Sequence, residues 1–411
     1  MTGAQLKHTV FDQFPVQDNC IVVGGTPLTR LAQRVGRTPF YAYDRQKITN
    51  RIQLLRKSLP DEIHLHYAMK ANPMPAVVQH LAGLIDGIDV ASVGEMHIAL
   101  DTTIPPNKIS FAGPGKIEHE LSSAISAGIV LNMESEREMR LIVKLGEQLG
   151  IRPNVSIRIN PDFELKSAGM KMGGGPKQFG VDAELAPALL KQIGKLDLNF
   201  IGFHIFSGSQ NLKSDAIQEA HEKTLQLALK LAEKAPSPIH TLNIGGGFGI
   251  PYFPGESALN IQSIGENLSN LLPEVKHRLP EAQIIIELGR YMVAEAGIYV
   301  CRVIERKVSR GRVFLITDGG LHHHLAATGN FGQVIRKNYP VMIGNKAHGT
   351  QKEIATIVGP LCTPLDLLAE QMEMEKAEVN DLVVVLQSGA YGLSASPTGF
   401  LGHPEPLEIL V

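Results

Sequence analysis

The sequence has no tryptophan, only three cysteines, and aromatic residues at 5% of its 411 positions. Cys20, Cys301 and Cys362 lie far apart and form no CxxC pair, so the sequence predicts neither a disulfide framework nor a cysteine-based metal site. Unpaired cysteines are typical of proteins in a reducing compartment. We therefore expect a cytoplasmic protein.

A net excess of charge and a long apolar run are also lacking. The 39 basic and 41 acidic residues leave a formal net charge of -2, and no basic run is dense enough to follow a phosphate backbone. No apolar run reaches the roughly 18 residues that a helix needs to span a bilayer. The first residues lack the charged and apolar regions of a signal peptide. Neither nucleic acid nor a membrane is therefore expected as a partner.

The hydrophobic fraction is ordinary, at 44%, and its arrangement predicts the fold. From about Asp44, amphipathic helical segments alternate with short, apolar, β-prone runs. These runs fill about 250 residues, the size of a closed (β/α)8 TIM barrel. An open doubly wound sheet is the alternative, but its glycine-rich fingerprint after the first strand is missing. The eight predicted barrel strands are 63–69, 88–91, 108–111, 129–133, 155–159, 200–205, 241–244 and 283–286.

The pattern changes after Arg290, where strands follow one another with turns between them and little helix. We predict a barrel domain at residues 41–297 and a β-rich domain formed by residues 1–40 and 298–411. A short helix is expected within the latter, at residues 367–376. The strands predicted there are 298–308, 313–317, 354–359 and 382–388.

Polar residues or glycines follow nearly every predicted barrel strand. Chemistry in such barrels takes place at the carboxyl ends of the strands, so this convergence favours a functional site over separate surface accidents. The residues concerned are Lys70, Asp89, Ser92, Gly113, Glu134, Ser135, Arg158, Asn160, His204, Gly245, Gly246, Gly247, Glu287 and Arg290.

Lys70 directly follows a buried strand. It is either a surface lysine with a buried stem or a desolvated amine suited to forming a Schiff base. Gly245, Gly246 and Gly247 are either a tight turn or a phosphate cradle. They follow the seventh strand and Arg290 follows the eighth, and this is where barrels favour phosphate sites.

Glu287 and His204 extend the set. Glu287 ends an apolar strand, where it either pairs with Arg290 or keeps a pyridine nitrogen protonated. His204 is either a buried core histidine or a ring that stacks on an aromatic cofactor. Amine, phosphate cradle, carboxylate and imidazole together indicate pyridoxal 5'-phosphate more narrowly than any one of them.

Eight ordered motifs resemble the fold-type III pyridoxal-phosphate decarboxylases, which include the diaminopimelate, ornithine and arginine decarboxylases. The resemblance runs nearly the whole length of the chain. The motifs are HYAMKAN (66–72), DVASVGE (89–95), RINP (158–161), HIFSGSQ (204–210), GGGFG (245–249), ELGR (287–290), GPLC (359–362) and GAYG (389–392).

The resemblance implies a role for each matching residue. Lys70 would carry the cofactor, His204 would stack on its ring, and Glu287 would bind the pyridine nitrogen. The phosphate would be held by Ser207, Gly245, Gly246, Gly247, Arg290 and Tyr391. Asp89 and Arg158 would complete the cofactor site.

The resemblance also implies a homodimer with shared active sites. Cys362 of a second subunit would return a proton to the substrate after carbon dioxide leaves. Together with Cys362, the residues expected to face the substrate are Arg290, Thr363 and Tyr391.

Two departures bear on the substrate. Diaminopimelate decarboxylases follow the cysteine with an acid that binds the distal amine, and they carry an Arg-Pro…Tyr set for the distal carboxylate. Here Thr363 and Pro364 follow Cys362, and the stretch that corresponds to the second set reads LHHHLAATGN (321–330). Both distal grips are missing, and ionic specificity depends on such paired charges.

The departures resemble decarboxylases that act on an aminoacyl group, such as glutamyl, tethered to an acyl carrier protein, and also those associated with exosortase systems. We therefore expect α-decarboxylation of an amino acid or of a tethered aminoacyl group, with an acyl carrier protein as a possible partner. The alternative is diaminopimelate decarboxylase acting on free meso-diaminopimelate in lysine biosynthesis. An amino-acid racemase and a non-catalytic cofactor-binding protein are further alternatives, against which the 359–366 loop and the second domain argue.

Three consecutive histidines, His322, His323 and His324, invite a metal interpretation. Consecutive residues on a strand point to alternate faces and cannot all ligate one ion. We therefore predict no metal site.

Overall fold

The computed structural model describes residue 8 and residues 11–411, except residues 168, 332 and 334. Residues 1–7, 9 and 10 of the predicted segment 1–40 therefore lie outside the described residues. The chain divides into two compact units, one formed by Met1–Thr49, Ile250–Ser257 and Val293–Val411, the other by Asn50–Gly249 and Ala258–Met292. The predicted domain limits, 41–297 and 1–40 with 298–411, are close to these but not identical, and they stay a prediction.

The first unit begins with short strands and one helix. Helix α1 (Leu28–Val35) buries Leu28, Leu31 and Ala32, and it ends at Gly36 in the left-handed conformation that glycine adopts without strain. The strands are β1 (Val16–Gln17), β2 (Cys20–Val23), β3 (Thr26–Pro27) and β4 (Phe40–Tyr43).

The second unit contains a closed barrel of eight parallel strands. Each barrel strand pairs in parallel with the next, and pairing of β8 (Val130–Met133) with β9 (Asn154–Asn160) closes the ring. The predicted TIM barrel is therefore confirmed, and each predicted strand overlaps an observed one. The strands of this unit are β5 (Ile63–Ala68), β6 (Gly87–Val90), β7 (Ile109–Phe111), β8 (Val130–Met133), β9 (Asn154–Asn160), β10 (Met170–Lys171), β11 (Val181–Asp182), β12 (Asn199–Ile205), β13 (Gly208–Ser209), β14 (Thr241–Gly246) and β15 (Gln283–Leu288).

Helices connect the barrel strands. Two of the polar residues at strand ends are helix caps: Ser92 Oγ accepts the Glu95 N–H at 3.2 Å, and Ser135 Oγ accepts the Glu138 N–H at 3.1 Å. Their position is thus explained by local structure. The helices are α2 (Arg45–Ser58), α3 (Pro75–Ala82), α4 (Val93–Leu100), α5 (Glu118–Ala127), α6 (Glu136–Leu149), α7 (Ala186–Ile193), α8 (Ser214–Ala232), α9 (Ile261–Arg278) and α10 (Arg290–Val293).

The rest of the first unit is a mixed sheet. Strand β4 pairs with β16 and with β22, so early and late parts of the chain share this sheet. Its apolar cluster includes Phe40, Ile298 and Val384. The strands are β16 (Gly297–Ser309), β17 (Arg312–Thr317), β18 (Val341–Ile343), β19 (Lys352–Val358), β20 (Leu367–Glu375), β21 (Leu382–Val385) and β22 (Leu407–Leu410).

The helix predicted at residues 367–376 is wrong, because this segment is strand β20. It is rich in helix-forming residues, but it pairs along its length with β19 in antiparallel register. Met374 is buried between the exposed Glu373 and the half-buried Glu375, which is the two-residue period of a strand. Tertiary pairing here overrides intrinsic propensity.

Within the described part of the chain, no helix combines the length and apolarity that crossing a bilayer requires.

Gly265 in α9 provides a test of barrel packing. A Cβ at this position would lie 1.7 Å from the Ser58 carbonyl oxygen at the end of α2. We expect Gly265→Ala to lower the free energy of unfolding by about 1–3 kcal/mol, because backbone must move to admit the methyl group. Gly83→Ala is the control, since its Cβ would meet nothing closer than 3.7 Å. Urea denaturation measures both, and equal losses would contradict the packing described.

Candidate active site

Lys70 lies in a short 3-10 turn, Met69–Ala71, that directly follows β5. The strand before it is buried, whereas Lys70 itself is exposed. Its Nζ is 5.8 Å from the centroid of the Phe206 ring, and the lysine charge acts on both Glu95 and Glu287. The barrel therefore presents one amine close to an aromatic ring and two carboxylates.

Glu287 is a buried carboxylate with two polar neighbours, His204 and Asn243. Its Oε2 lies 3.0 Å from His204 Nε2 and accepts a hydrogen bond from Asn243 Nδ2 at 3.3 Å. Burial alone would raise the pKa of Glu287, but contact with His204 and the charges of Lys70 and Arg158 outweigh it and hold that pKa well below its usual range. Glu287 is therefore an anion at neutral pH.

Asn243 also shapes the glycine turn, a role that was not predicted from the sequence. Its Oδ1 accepts the Gly245 N–H at 2.8 Å, so one side chain joins the turn to Glu287. Gly245 and Gly247 have φ values of 72° and 76°, which favour glycine. A Cβ at Gly246 would lie 2.5 Å from the Glu287 carbonyl oxygen. The signal that could have revealed Asn243 is a polar residue inside an apolar strand.

Ser207 lies in the loop after β12, which packs against the glycine turn. The Ser207 carbonyl accepts the N–H groups of Met172 and Gly173, each at 3.1 Å. The Asn211 N–H donates to the Gly247 carbonyl at 2.9 Å. Two backbone loops thus come together at the ends of β12 and β14.

Glu134 joins three loops at this end of the barrel. Its Oε1 accepts the Gly113 N–H at 2.5 Å and lies 3.3 Å from Arg158 Nη1, while its Oε2 accepts the Gly180 N–H at 3.0 Å. Arg158 also lies over the Phe179 ring, 5.0 Å from its centroid. Sequence reasoning marked Glu134 as a strand-end residue but missed its part in holding Arg158.

Asn160 fixes the segment that precedes Gly180. Its Oδ1 accepts the Gly174 N–H at 3.1 Å, and its Nδ2 donates to the Gly175 carbonyl at 2.9 Å. Strand β10 at the start of this segment pairs with β13, next to Ser207. This segment is therefore tied to the barrel by side chains and backbone.

Asp89 is directed into the barrel interior. It accepts a hydrogen bond from Ser110 Oγ, and its Oδ2 lies 3.3 Å from His66 Nδ1. These residues line a cavity, together with Asn132 and Asn243. The partners of Asp89 thus belong to a polar layer of the barrel.

The remaining predicted residues occupy other positions. Arg290 begins α10 and is half-buried. Cys362, Thr363 and Tyr391 belong to the first unit, where Cys362 is exposed and the other two are half-buried. No group of three or more His, Cys, Asp or Glu residues could hold a metal ion, as far as the described residues go.

The barrel residues fit pyridoxal phosphate. An exposed amine can bind an aldehyde, a buried anion can bind a protonated pyridine nitrogen, and glycine backbone admits a phosphate without side-chain obstruction. Lys70, Glu287 and the glycine turn provide these three groups.

Comparisons with known proteins point the same way. The family described as "Pyridoxal-dependent decarboxylase, pyridoxal binding domain" matches residues 45–294. The L-glutamyl-[BtrI acyl-carrier protein] decarboxylase of Niallia circulans is 41% identical over 93% of this chain and 90% of its own length. The diaminopimelate decarboxylase of Aquifex aeolicus is 34% identical over 96% and 91%. The structure of diaminopimelate decarboxylase from M. jannaschii in complex with L-lysine superposes with a TM-score of 0.88, at 27% identity, over 97% of this chain and 93% of that chain.

Glu134→Gln tests the three-loop contact. The variant leaves Arg158 as a buried charge without its partner, and removing one member of a buried ion pair costs about 3–5 kcal/mol. Glu136→Gln, two residues along, removes a surface pair with Arg140 and should change stability by less than about 0.5 kcal/mol. Urea unfolding of both variants measures the difference, and similar small losses would show that Glu134 does not hold Arg158.

Proposed function

This chain belongs to the pyridoxal-dependent decarboxylases, and we propose that its substrate is an aminoacyl group, such as glutamyl, tethered to an acyl carrier protein. The enzyme is a carboxy-lyase that uses pyridoxal 5'-phosphate as its cofactor. When bound, the cofactor accepts the electron pair that departing carbon dioxide leaves behind. The protein's part is to bind, orient and supply protons.

We assign the cofactor mainly to barrel residues. Lys70 holds it through its amine, and Glu287, an anion at neutral pH, accepts a hydrogen bond from the protonated pyridine nitrogen. His204 stacks on the ring, and it contacts Glu287 in the structure. The phosphate is held by Ser207, Arg290, Tyr391 and the three glycines Gly245, Gly246 and Gly247.

Two further assignments concern Arg158 and Asp89. Arg158 supplies positive charge that favours the Glu287 anion, and Glu134 keeps it in place. Asp89 remains assigned to the cofactor site, and its contacts with Ser110 and His66 support a positioning role.

Cys362 is proposed as the group that returns a proton to the α-carbon after carbon dioxide leaves. Its exposure and its place in a loop, rather than in a strand, support this role. As implied by the family resemblance, it acts from a second subunit, so we propose a homodimer with shared active sites. Arg290, Thr363 and Tyr391 would face the substrate together with Cys362. The three unpaired cysteines support a cytoplasmic location.

The observation that carries the substrate proposal is the absence of a cation in residues 321–330. Burial lowers the pKa of His322 and His324 to about 3 and that of His323 to about 4, so all three imidazoles are neutral near pH 7. A loop with neutral imidazoles offers no ionic partner for a free distal carboxylate. In a tethered glutamyl group the distal carboxyl is no longer charged if it forms the link to the carrier.

Free meso-diaminopimelate is the second candidate substrate. It is favoured by the 34% identity to the Aquifex aeolicus enzyme over nearly the whole chain. Thr363 and Pro364, which stand where an acid is expected for the distal amine, argue against it.

A mass assay of the two substrates tests the proposal. We expect loss of carbon dioxide from glutamyl attached to an acyl carrier protein and at least about 100-fold lower kcat/KM for free diaminopimelate, since the latter's buried charges stay unpaired. Carrier protein without the glutamyl group is the control. Preferred turnover of free diaminopimelate would contradict the tethered substrate and leave the decarboxylase assignment intact.

Cys362→Ala tests the proton donor. We expect kcat to fall by about 10²–10⁴-fold, the usual contribution of a positioned acid, while cofactor absorbance is retained. Cys20→Ala, which changes a buried cysteine in the same unit, is the control. Unchanged turnover in Cys362→Ala would rule out the role.

A further inference from the structure

We propose that Asp366 is a positioning residue whose carboxylate fixes the loop that carries Cys362 against the loop that carries His322. This inference rests on the proposed role of Cys362 and goes beyond it, since no motif assigned any part to Asp366. The Cys362 loop comprises residues 359–366, and the histidine loop comprises residues 320–324. Both belong to the first unit.

The two oxygens of Asp366 bind one loop each. Oδ2 accepts the Leu361 N–H at 2.8 Å, and Oδ1 accepts the Leu321 N–H at 2.6 Å. Cys362 directly follows Leu361, and His322 directly follows Leu321. One carboxylate therefore sets the backbone next to the cysteine and next to the histidine. We call this pair of hydrogen bonds from Leu321 and Leu361 to Asp366 the bracket.

Contacts within the Cys362 loop add to this bracket. The Gly359 N–H donates to the Asp366 carbonyl at 3.2 Å, and the Asp366 N–H donates to the Thr363 carbonyl at 3.3 Å. The Thr363 N–H donates to the Leu361 carbonyl at 2.8 Å. The loop closes on itself around Asp366, with Cys362 exposed at its outer side.

Two glycines make room for the carboxylate. A Cβ at Gly320 would lie 2.1 Å from Asp366 Oδ1, and a Cβ at Gly359 would lie 2.3 Å from Oδ2. Neither glycine has a positive φ. Close approach of the carboxylate, rather than backbone conformation, therefore explains glycine at both positions.

The bracket carries a cost that a surface loop would avoid. Asp366 is only 2% exposed, and burial raises the pKa of its carboxyl although both backbone N–H groups favour the anion. A buried carboxylate needs strong hydrogen bonds. Both oxygens meet this need with backbone donors, which ties the charge to the geometry of the two loops.

Two backbone donors, one on each side of the Asp366 side chain, require a group with two acceptor oxygens, which is a carboxylate. Asparagine offers one acceptor oxygen and one NH2 group. In Asp366→Asn, one of the two backbone N–H groups must therefore face the side-chain NH2 of the asparagine, which cannot accept its hydrogen bond. The bracket would then hold one loop and release the other. Replacement by a residue of nearly equal size is therefore enough to test it.

Alkylation of Cys362 by iodoacetamide in the holoenzyme is the direct measurement, because Cys20 and Cys301 are buried. We expect Asp366→Asn to raise the alkylation rate about threefold or more, as the loop samples open positions. We also expect kcat for decarboxylation to fall about tenfold or more with little change in KM, because a misplaced proton donor affects the chemical step.

Asp381→Asn is the matched control. Asp381 is 7% exposed, and its oxygens accept from Asn345, Lys346 and the Glu378 N–H, away from both loops. It should alter stability without altering Cys362 alkylation or the ratio of kcat to KM. Gly359→Ala separates position from charge, since it crowds the carboxylate but keeps it, and it should reproduce the Asp366→Asn response.

Alkylation and kcat that match the Asp381→Asn control would overturn the proposal. If neither loop variant folds, hydrogen exchange of the wild-type protein decides: slow exchange of both the Leu321 and Leu361 amides supports the bracket, and fast exchange of either overturns it. Full turnover in Cys362→Ala would remove the catalytic role of the cysteine. The alkylation and exchange results would still report on Asp366.

Discussion

Closure of the parallel sheet is the constraint on which the rest of the site depends. Strand β8 pairs with β9 across the gap between the first and second halves of the barrel. Because all eight strands run in the same direction, their carboxyl ends form one rim. Lys70, Arg158, His204 and Glu287 come from four strands separated by up to 217 positions in the chain, and ring closure places them on the same rim.

Buried charge at this rim is compensated locally. Glu287 has His204 and Asn243, and Glu134 has Arg158 and two backbone N–H groups. Asp366 repeats the principle in the other unit, with backbone N–H donors from two loops. In each case one carboxylate holds segments that are distant in sequence.

The sequence predicted the barrel because its strands are continuous apolar runs with polar residues at one end. It failed at β20, where glutamate and methionine favour a helix and only pairing with β19 decides the outcome. Lys70, Glu287 and the glycine turn were recognisable from their positions after strands. The contacts that Asn243, Glu134 and Asp366 make were not recognisable, because contacts such as that of Glu134 with Gly180, 46 positions away, are created only by the folded chain.

The measurement that tests the account most directly is borohydride reduction of the holoenzyme, followed by peptide mapping by mass spectrometry. Reduction makes the bond between a lysine amine and the cofactor permanent, so the modified residue can be identified. The account predicts one pyridoxyl group per chain, on Lys70. Modification of a different lysine, or none, would contradict the assignment of the cofactor to the rim of the barrel.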